Sequence, residues 1–319
     1  MKPEPLTMKL LKIIIFLLFC GNINYAGTLN STDNADLVIF SYDRPLQLYA
    51  YLESLKKYVS GLKNIFFLYR SSNEAFEKAY QEIQKEYTDI IFFNQNNSTA
   101  AQDFKPLLLK ILFTESKSNY VLFGVDDIIV TNFINICECI THMTQEKALG
   151  FYLRLGKNIT KFYVQSVNFH TSPPFRTVAP DVFAWQFKDG KYAWKHSTSV
   201  DMTIIHKQEL ECLKKIHFRT PNQLEIAWSR NKKKETRNKT GLCYGHSKIV
   251  NIPLNIVQED KTQNNMGFLS TIDLLDLYDQ QLKIDISALF AVNNQAPHME
   301  YIPTFIQRSC THAANLLTK

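Results

Sequence analysis

The stretch "ADLVIFSYDRPLQLYAYLESL", Ala35 to Leu55, contains a strand, a turn and a helix in direct succession. A continuous run of β-branched and aromatic residues ends at Tyr42, which predicts a strand buried on both faces. Pro45 follows, and the apolar residues after it recur at helical spacing, which predicts a helix that begins at the proline. This order is the first unit of a parallel sheet with helical crossovers.

The same alternation continues as far as Asp127. Strands are predicted in "KNIFFLYRSS", "DIIFFNQ" and "NYVLFGVDD", and helices in "NEAFEKAYQEIQKEY" and "DFKPLLLKILFTES". Because each connection is long enough for a right-handed helical crossover, the strands are expected to run parallel. The predicted fold class is therefore α/β, with a mainly parallel central sheet flanked by helices.

The pattern becomes irregular after Thr131 and is rich in aromatic residues. A helix at "NFINICECITHMT" and a strand at "KALGFYLRLG" are followed by "FAWQFKDGKYAW", which predicts a hairpin turned by Asp189-Gly190. A late strand is predicted in "KIVNIPLNIVQ", and a helical C-terminal region in "STIDLLDLYDQQLKIDISAL".

The N-terminal segment, residues 1–27, has lysines, then an apolar run from Ile13 to Cys20, then small and polar residues. This layout is typical of a secretory signal peptide, and an uncleaved signal anchor is the alternative. Either interpretation predicts the secretory pathway, with the protein periplasmic, secreted or membrane-anchored by this segment.

Composition and missing motifs exclude several classes of protein. A hydrophobic content of 45% excludes general disorder, and a net charge of +6 suits an anionic ligand but not a nucleic-acid partner. The basic run "RNKKKETRNK", Arg230 to Lys239, has no interleaved aromatics and is predicted as a solvated loop. No G-x-G-x-x-G follows the first strand, and there is no Walker A loop or G-x-S-x-G elbow. These absences disfavour dinucleotide dehydrogenases, P-loop NTPases and α/β-hydrolases.

Polar side chains lie at the predicted carboxyl ends of the strands, where open parallel sheets bind their ligands. They are Ser41, Tyr42 and Arg44 after the first strand, Arg70 at the end of the second, and Asp126 and Asp127 after the fourth.

Asp126 and Asp127, in "YVLFGVDDIIV", require a positive partner because burying unpaired carboxylates costs several kcal/mol each. Mg²⁺ or Mn²⁺ fits this role, holding a diphosphate while the Tyr and Arg side chains hold a nucleoside. Adjacent strand residues point to opposite faces, so the strand must end at Asp126 if both acids reach one ion. The alternative is a structural pair that caps the next helix or binds Arg154 or Lys105.

From Asp36 to Gln258 the chain resembles GT-A fold nucleotide-sugar glycosyltransferases of the family 2-like group. "VIFSYDRPLQLYAYLESL" is similar to their nucleoside-binding strand, loop and helix, and "YVLFGVDDIIV" to their D-x-D strand end. "TPNQLE" occupies the region of their acceptor-side carboxylate. The usual acids flank one residue, whereas here Val125 and Ile128 flank the pair, which implies one direct metal ligand or an altered site.

The resemblance implies a single domain over residues 34–319 that transfers a sugar from a nucleotide-sugar donor to a carbohydrate or protein acceptor. Within it, 34–130 is the nucleotide-binding half, 131–260 the acceptor half, and 261–319 a helical extension. Two other functions stay open. One is a carbohydrate-binding protein with a degenerate transferase fold, and the other a metal-dependent nucleotidyl- or phosphotransferase.

The resemblance also implies roles for individual residues. Glu225 is the first candidate for a general base and Asp201 the second, against helix-start and turn roles. Lys105 is a candidate for binding the nucleoside or phosphate, against a solvated position. Arg154 and Lys157 are candidates for offsetting phosphate charge, against salt bridges.

Aromatic residues of the second half form a further candidate site. Trp185, Trp194 and Trp228, with Tyr192, are predicted as a platform that stacks on sugar rings, with core packing as the alternative. His298, in "APHMEY", is predicted to be structural.

Overall fold

The structure is a computed structural model that describes residues 34–96, 98–161, 172–255, 257, 269–299 and 301–308. The predicted signal segment, residues 1–27, lies outside the described residues. Within these ranges, no helix combines the length and the apolar content needed to cross a membrane.

Six α-helices are assigned in the described ranges: α1 (Pro45–Tyr58), α2 (Glu74–Glu86), α3 (Ala100–Lys110), α4 (Ile136–Glu146), α5 (Pro221–Thr236) and α6 (Thr271–Asp279). The strands of the first half are β1 (Ala35–Tyr42), β2 (Val59–Ser60), β3 (Leu62–Arg70), β4 (Ile90–Asn94), β5 (Tyr120–Val125), β6 (Ile128–Val130) and β7 (Ile134–Asn135). Those of the second half are β8 (Gly150–Gly156), β9 (Arg176–Ala179), β10 (Val182–Gln186), β11 (Thr203–His206), β12 (Thr240–Tyr244), β13 (Ile249–Asn251), β14 (Leu282–Ile284) and β15 (Phe305–Gln307).

The central sheet has nine strands in the order β4-β3-β1-β5-β11-β8-β12-β10-β9. The first four of these run parallel, as the sequence predicts. The strand β11 runs antiparallel to β5 and β8, and β10 runs antiparallel to β12 and β9. Since β8 and β12 pair in parallel, every strand of this sheet except β10 and β11 shares one direction. The predicted α/β class with a mainly parallel sheet is confirmed.

Helices cover both faces of this sheet because successive side chains of a strand point to opposite sides. Leu37 and Ile39 of β1 pack in the core that contains α1, α2, α4 and α6. Val38 and Phe40 pack in the core that contains α3 and α5. All four side chains are at most 3% exposed, which explains why β1 reads as an unbroken apolar run.

The predicted hairpin at Asp189-Gly190 is wrong. The strand β10 ends at Gln186 and is followed by two short 3-10 turns. Gly190 has an extended backbone, and a Cβ there would lie 2.3 Å from the carbonyl oxygen of Trp194. The glycine therefore serves close packing. The strand that pairs with β10 in a hairpin is β9, and Asp181, with φ of 62°, turns it.

The predicted aromatic platform is also wrong for its tryptophans. Trp185, Trp194 and Trp228 are at most 2% exposed and pack in hydrophobic cores, so their ring faces cannot stack on a sugar. Tyr192 is 44% exposed.

Two boundaries differ from the sequence prediction. The basic run predicted as a loop is helical up to Thr236: α5 continues through it, with Lys233 and Lys234 exposed and Lys232 paired with Glu209 and Glu235. The C-terminal helix stops at Asp279, and Gln281 has a left-handed backbone with φ of 62°. The residues that follow include β14, which pairs with β15.

Candidate functional site

The candidate site lies at one edge of the central sheet, called here the carboxyl edge, where β1, β3 and β5 end. Asp126 and Asp127 follow β5 directly. The strand β11 runs in the opposite direction to β5 and therefore begins at this edge, with Asp201 two residues before it. Arg154 lies near the end of β8. The topology thus brings acids and arginines from distant parts of the chain to one edge.

Arg44 is the positive partner of the two adjacent acids. Its Nη1 donates to Asp126 Oδ1 at 2.9 Å and lies 3.6 Å from Asp127 Oδ2. Its Nε donates to Oδ1 of Asn255 at 2.7 Å, and its Nη2 donates to the carbonyl oxygen of the same residue at 2.5 Å. The sequence alone assigns Arg44 to ligand binding, but here its guanidinium is buried and committed to the protein. We call Arg44, Asp126 and Asp127 the Arg44 group.

The two acids of this group differ in how many of their oxygens are paired. Asp126 also accepts from the backbone N–H of Tyr42 through Oδ2 at 3.2 Å, so both its oxygens have a donor. Burial raises the pKa of Asp126 above its ordinary value, opposed by the charge of Arg44. Asp127 accepts through Oδ1 only, within the described residues, and its side chain is 12% exposed against 5% for Asp126. Asp127 Oδ2 therefore has the Arg44 ion pair at 3.6 Å but accepts no hydrogen bond within the described residues.

Asn251 connects this group to the acids of the second half. The strand β13 pairs antiparallel with β6, and the register sets Asn251 opposite Ile128, directly after Asp127. Its Nδ2 donates to Asp127 Oδ1 at 3.0 Å and to Asp201 Oδ1 at 2.9 Å. One buried amide thereby bridges two carboxylates that are far apart in sequence.

Arg154 pairs with Asp201 in a second cluster that, like the first, contains one arginine and two acids. Its Nη1 lies 2.5 Å from Asp201 Oδ2, and Ser199 Oγ donates to the same oxygen at 3.2 Å. With the bond from Asn251, both oxygens of Asp201 have donors. The salt bridge that the sequence leaves as an alternative for Arg154 is present.

Glu225 is the second acid of this cluster and the less committed one. It lies in the second turn of α5, after Thr220 caps the helix and Pro221 begins it. Its Oε1 accepts a long hydrogen bond of 3.4 Å from the backbone N–H of Val200. Burial raises the pKa of Glu225 to about 7, and the charge of Asp201 adds to this while Arg154 opposes it. We call Arg154, Asp201 and Glu225 the Arg154 group.

His298 and Tyr51 add polar atoms between the two groups. His298 pairs with Asn251 across an isolated bridge, and burial and Arg154 lower its pKa while Asp201 and Asp127 oppose this. The Tyr51 hydroxyl is fully buried, and its pKa is raised by burial and by Asp201. Three side-chain atoms here have no hydrogen-bond partner within the described residues: Tyr51 Oη, Asn251 Oδ1 and His298 Nδ1. Buried polar atoms without a protein partner require a water, an ion or a polar ligand.

The other predicted site residues have structural contacts. Ser41 Oγ and the Tyr80 hydroxyl are 2.7 Å apart, and the Arg70 guanidinium lies 4.8 Å from the centre of the Tyr42 ring. Both pairs are at the carboxyl edge. Lys105 is not brought to the two groups, because its ammonium donates to the carbonyl oxygens of Lys214 and Ile216.

Sequence reasoning misses Asn251 and Asn255, and it singles out His298 only as a structural residue. The two asparagines interrupt the apolar run "IVNIPLN", and a buried amide needs partners just as a buried acid does. That interruption is the signal that identifies them. His298 has no comparable signal, because only the pairing of its segment with Asn251 brings it to the site.

Part of this chain is similar in sequence to a curated protein. No protein-family model matches the chain. A stretch of 133 residues is 33% identical to the bifunctional glycosyltransferase pgtA of Dictyostelium discoideum, and covers 39% of this chain and 16% of that protein. The match therefore spans a small part of the relative's own length. It confirms the predicted resemblance to glycosyltransferases.

Two solved structures that match part of this chain do so with TM-scores below 0.5. TarS 1-349 of S. aureus in complex with UDP has a TM-score of 0.44 and 12% identity, and the match covers 66% of this chain and 58% of that one. The mannosyltransferase PcManGT of Pyrobaculum calidifontis, in complex with GDP-Man and Mn²⁺, has a TM-score of 0.42 and 8% identity, with 72% and 60% covered. The fold of this chain is assigned from its own strand order and directions.

Proposed function

We propose that the protein transfers a sugar from a nucleoside-diphosphate sugar to an acceptor hydroxyl at the carboxyl edge, assisted by a divalent cation. The observation that carries this proposal is the row of polar side chains in which Asn251 joins Asp127 to Asp201. One end of the row adjoins the strand ends of β1 and β5, and the other end carries Glu225. The sequence similarity to pgtA supports the same reaction class.

The residues present fit a cation that is shared with a diphosphate. Within the described residues, no three His, Cys, Asp or Glu side chains are grouped to hold a metal ion. Mg²⁺ and Mn²⁺ in nucleotide sites commonly use one or two carboxylates, with phosphates and water as the remaining ligands. The groups that would hold it are Asp127 Oδ2, which accepts no hydrogen bond within the described residues and lies 3.6 Å from Arg44 Nη1, and the unpaired Asn251 Oδ1 and His298 Nδ1. Bound there, Mn²⁺ or Mg²⁺ would neutralise charge on the diphosphate leaving group.

Asp126 has a different role in this proposal. Its oxygens are paired with Arg44 and with the Tyr42 backbone, so it fixes the end of β5 against the loop that follows β1. This arrangement agrees with the single direct ligand that the flanking Val125 and Ile128 imply in the sequence. Arg44 holds the acids in place and is not free to bind the nucleoside.

Glu225 is the proposed general base. A base works best when its pKa is near the working pH, and the pKa of Glu225 is about 7. Asp201 is less suited because Arg154, Asn251 and Ser199 occupy its oxygens. In this scheme Glu225 accepts the proton of the acceptor hydroxyl, and Arg154 and Asp201 hold the Glu225 carboxylate in position.

The test is a binding and turnover panel on the full chain. Nucleoside diphosphates are titrated with and without Mn²⁺ by calorimetry, and release of the diphosphate from nucleotide sugars is then measured. We expect at least one nucleoside diphosphate to bind in a Mn²⁺-dependent manner and its sugar conjugate to be consumed. If no nucleoside diphosphate binds, the proposal fails. If one binds but no nucleotide sugar is consumed, the protein is a binding module with this fold.

A further inference from the structure

A cavity of about 560 Å³ opens at the carboxyl edge, beside the ends of β8 and β12, and none of the roles above uses it. The residues that matter for its chemistry are Lys157, Asp181, Phe183, His246, Asn293 and Gln295. Its volume lies within the roughly 300–1,000 Å³ that is common for small-molecule sites.

Two segments of the chain connect this cavity to Arg154 and to His298. The chain continues from Arg154 in β8 directly to Lys157 at the cavity wall. A C-terminal segment continues from Gln295 at the cavity to His298, whose bridge with Asn251 places it at the site. A ligand in the cavity would therefore lie at the same edge of the sheet, against residues that are three positions along the chain from Arg154 and from His298.

Hydrogen bonds hold the cavity walls in place. Asn158 donates through Nδ2 to the carbonyl oxygen of Asn294 at 2.7 Å and accepts through Oδ1 from the Ser247 backbone at 2.9 Å. The backbone N–H groups of Thr160 and Lys161 both donate to the carbonyl oxygen of Gln295 at 3.0 Å. The loop after β8 and the C-terminal segment are thus joined, which gives a ligand a preformed surface.

The side chains at the cavity suit a sugar ring. Phe183 offers an aromatic surface to apolar C–H groups, and Asn293 and Gln295 have exposed amides that can donate to and accept from hydroxyls. Such a mixture of one aromatic side chain and several planar polar ones favours a carbohydrate over a purely apolar ligand.

The charge at the cavity is positive. Asp181 is the acidic residue of the cavity wall, and both of its carboxylate oxygens have partners. Oδ1 accepts from the Gly245 backbone N–H at 3.0 Å, and Oδ2 lies 3.5 Å from Lys248 Nζ. Lys157 Nζ lies 4.3 Å from the centre of the Phe183 ring and has no ion-pair partner within the described part of the chain. An uncompensated ammonium beside an aromatic ring is a place for an anionic substituent of a sugar.

We propose that this cavity is the acceptor subsite and that it binds a sugar carrying a phosphate or carboxylate next to Lys157. Calling the cavity an acceptor subsite rests on the proposed transferase function. The sugar ring lies against Phe183, its hydroxyls face Asn293 and Gln295, and its anionic group contacts the Lys157 ammonium.

The test titrates simple sugars into the full chain with a nucleoside diphosphate and Mn²⁺ already present, so that the donor position is filled. The probes are glucose, glucose 6-phosphate, glucuronate and inorganic phosphate, and binding is followed by ligand-detected NMR. We expect glucose 6-phosphate, glucuronate or both to bind at least tenfold more tightly than glucose. In Lys157→Gln this preference should disappear, whereas Lys191→Gln, at an exposed lysine outside the cavity, should keep it.

Several outcomes would overturn the proposal. They are equal affinity for glucose and the anionic sugars, an unchanged preference in Lys157→Gln, no sugar binding, or inorganic phosphate binding as tightly as glucose 6-phosphate. Binding of the nucleoside diphosphate, measured in the same samples, separates the two proposals. If it binds and the anionic sugars do not, the subsite alone is wrong; if Lys157-dependent sugar binding occurs without nucleotide binding, the transferase function is wrong.

Discussion

The Arg44 group and the Arg154 group have the same composition, one arginine and two acids, but they differ in how tightly the protein holds them. In the Arg44 group the guanidinium is paired through Nε and both terminal nitrogens, and the Arg44 side chain is 9% exposed. In the Arg154 group the arginine side chain is 16% exposed, and Glu225 accepts one long backbone hydrogen bond. Each group nevertheless contains one fully paired acid and one that is not.

This difference indicates that the acids of each group have different roles. The paired acids, Asp126 and Asp201, neutralise their arginines and fix the geometry of the carboxyl edge. The less committed acids, Asp127 and Glu225, keep lone pairs for ligands and protons. Asn251 joins one acid of each kind, which holds the two groups in a fixed relation.

The largest expected effect is on the rate of sugar transfer. Glu225→Gln should lower the transfer rate by about 10²–10⁴-fold, because an amide cannot accept the proton of the acceptor hydroxyl. Glu235→Gln, on the same helix at an exposed position, is the matched control and should keep the rate. Initial rates with saturating donor provide the measurement. A Glu225→Gln enzyme with an undiminished rate would remove the chemical role of the Arg154 group.

The next effect is on stability and concerns Arg44. Arg44→Met should lower the free energy of unfolding by about 3–5 kcal/mol, because it leaves two buried acids without their cation. Arg70→Met, which removes a guanidinium stacked on Tyr42, should cost less than about 1 kcal/mol. Urea denaturation followed by circular dichroism measures both. Similar losses for the two variants would show that Arg44 is not specially committed.

A smaller effect concerns the pH dependence of the reaction. A general base must be deprotonated, so the rate should rise as the pH increases through about 7 and then level off. Between pH 6 and pH 8 the rise should be about tenfold. Kinetics at saturating donor and acceptor measure it, and a rate that is flat over this range in the wild type would exclude Glu225 as the titrating base.

The last effect is on the pH dependence of folding stability, and it follows from the same raised pKa of Glu225. The folded state holds the Glu225 pKa above its ordinary value of 4.5, so between pH 4.5 and about 7 it binds more protons than the unfolded state. Wild-type stability should therefore fall across this window as pH rises, relative to Glu225→Gln. The relative change should be about 3 kcal/mol. Thermal unfolding from pH 5 to pH 8 tests it, and parallel curves would contradict it.

The sequence predicts the first half of the fold well because local signals agree there. The apolar run before Tyr42 and the helix begun by Pro45 are both present in the structure. At Asp189-Gly190 the local signal fails, because that glycine serves close packing against Trp194 and the turn occurs at Asp181 instead. Tertiary packing decides such positions, and it does not appear in a short window of sequence.

The candidate site follows the same rule. Asp126 and Asp127 are visible in sequence because they interrupt an apolar run, and Glu225 because it follows the signals of a helix start; these three acids and Asp201 all lie at the carboxyl edge. Their pairing is not visible, since Arg44 is far from Asp126 in the chain and Asn251 reaches Asp201 only through the register of β6 and β13. Sequence therefore identifies the charged side chains but not which of them neutralise each other.

The most direct test of these different roles compares Asp126→Asn with Asp127→Asn. Each variant is assayed for its free energy of unfolding and for Mn²⁺-dependent binding of the nucleoside diphosphate. Asp126→Asn should lose about 3–5 kcal/mol of stability because Arg44 is left without its main partner. Asp127→Asn should stay within about 1 kcal/mol of the wild type but bind the nucleotide at least tenfold more weakly in Mn²⁺. The reverse pattern, with Asp127 required for stability and Asp126 for binding, would contradict the account.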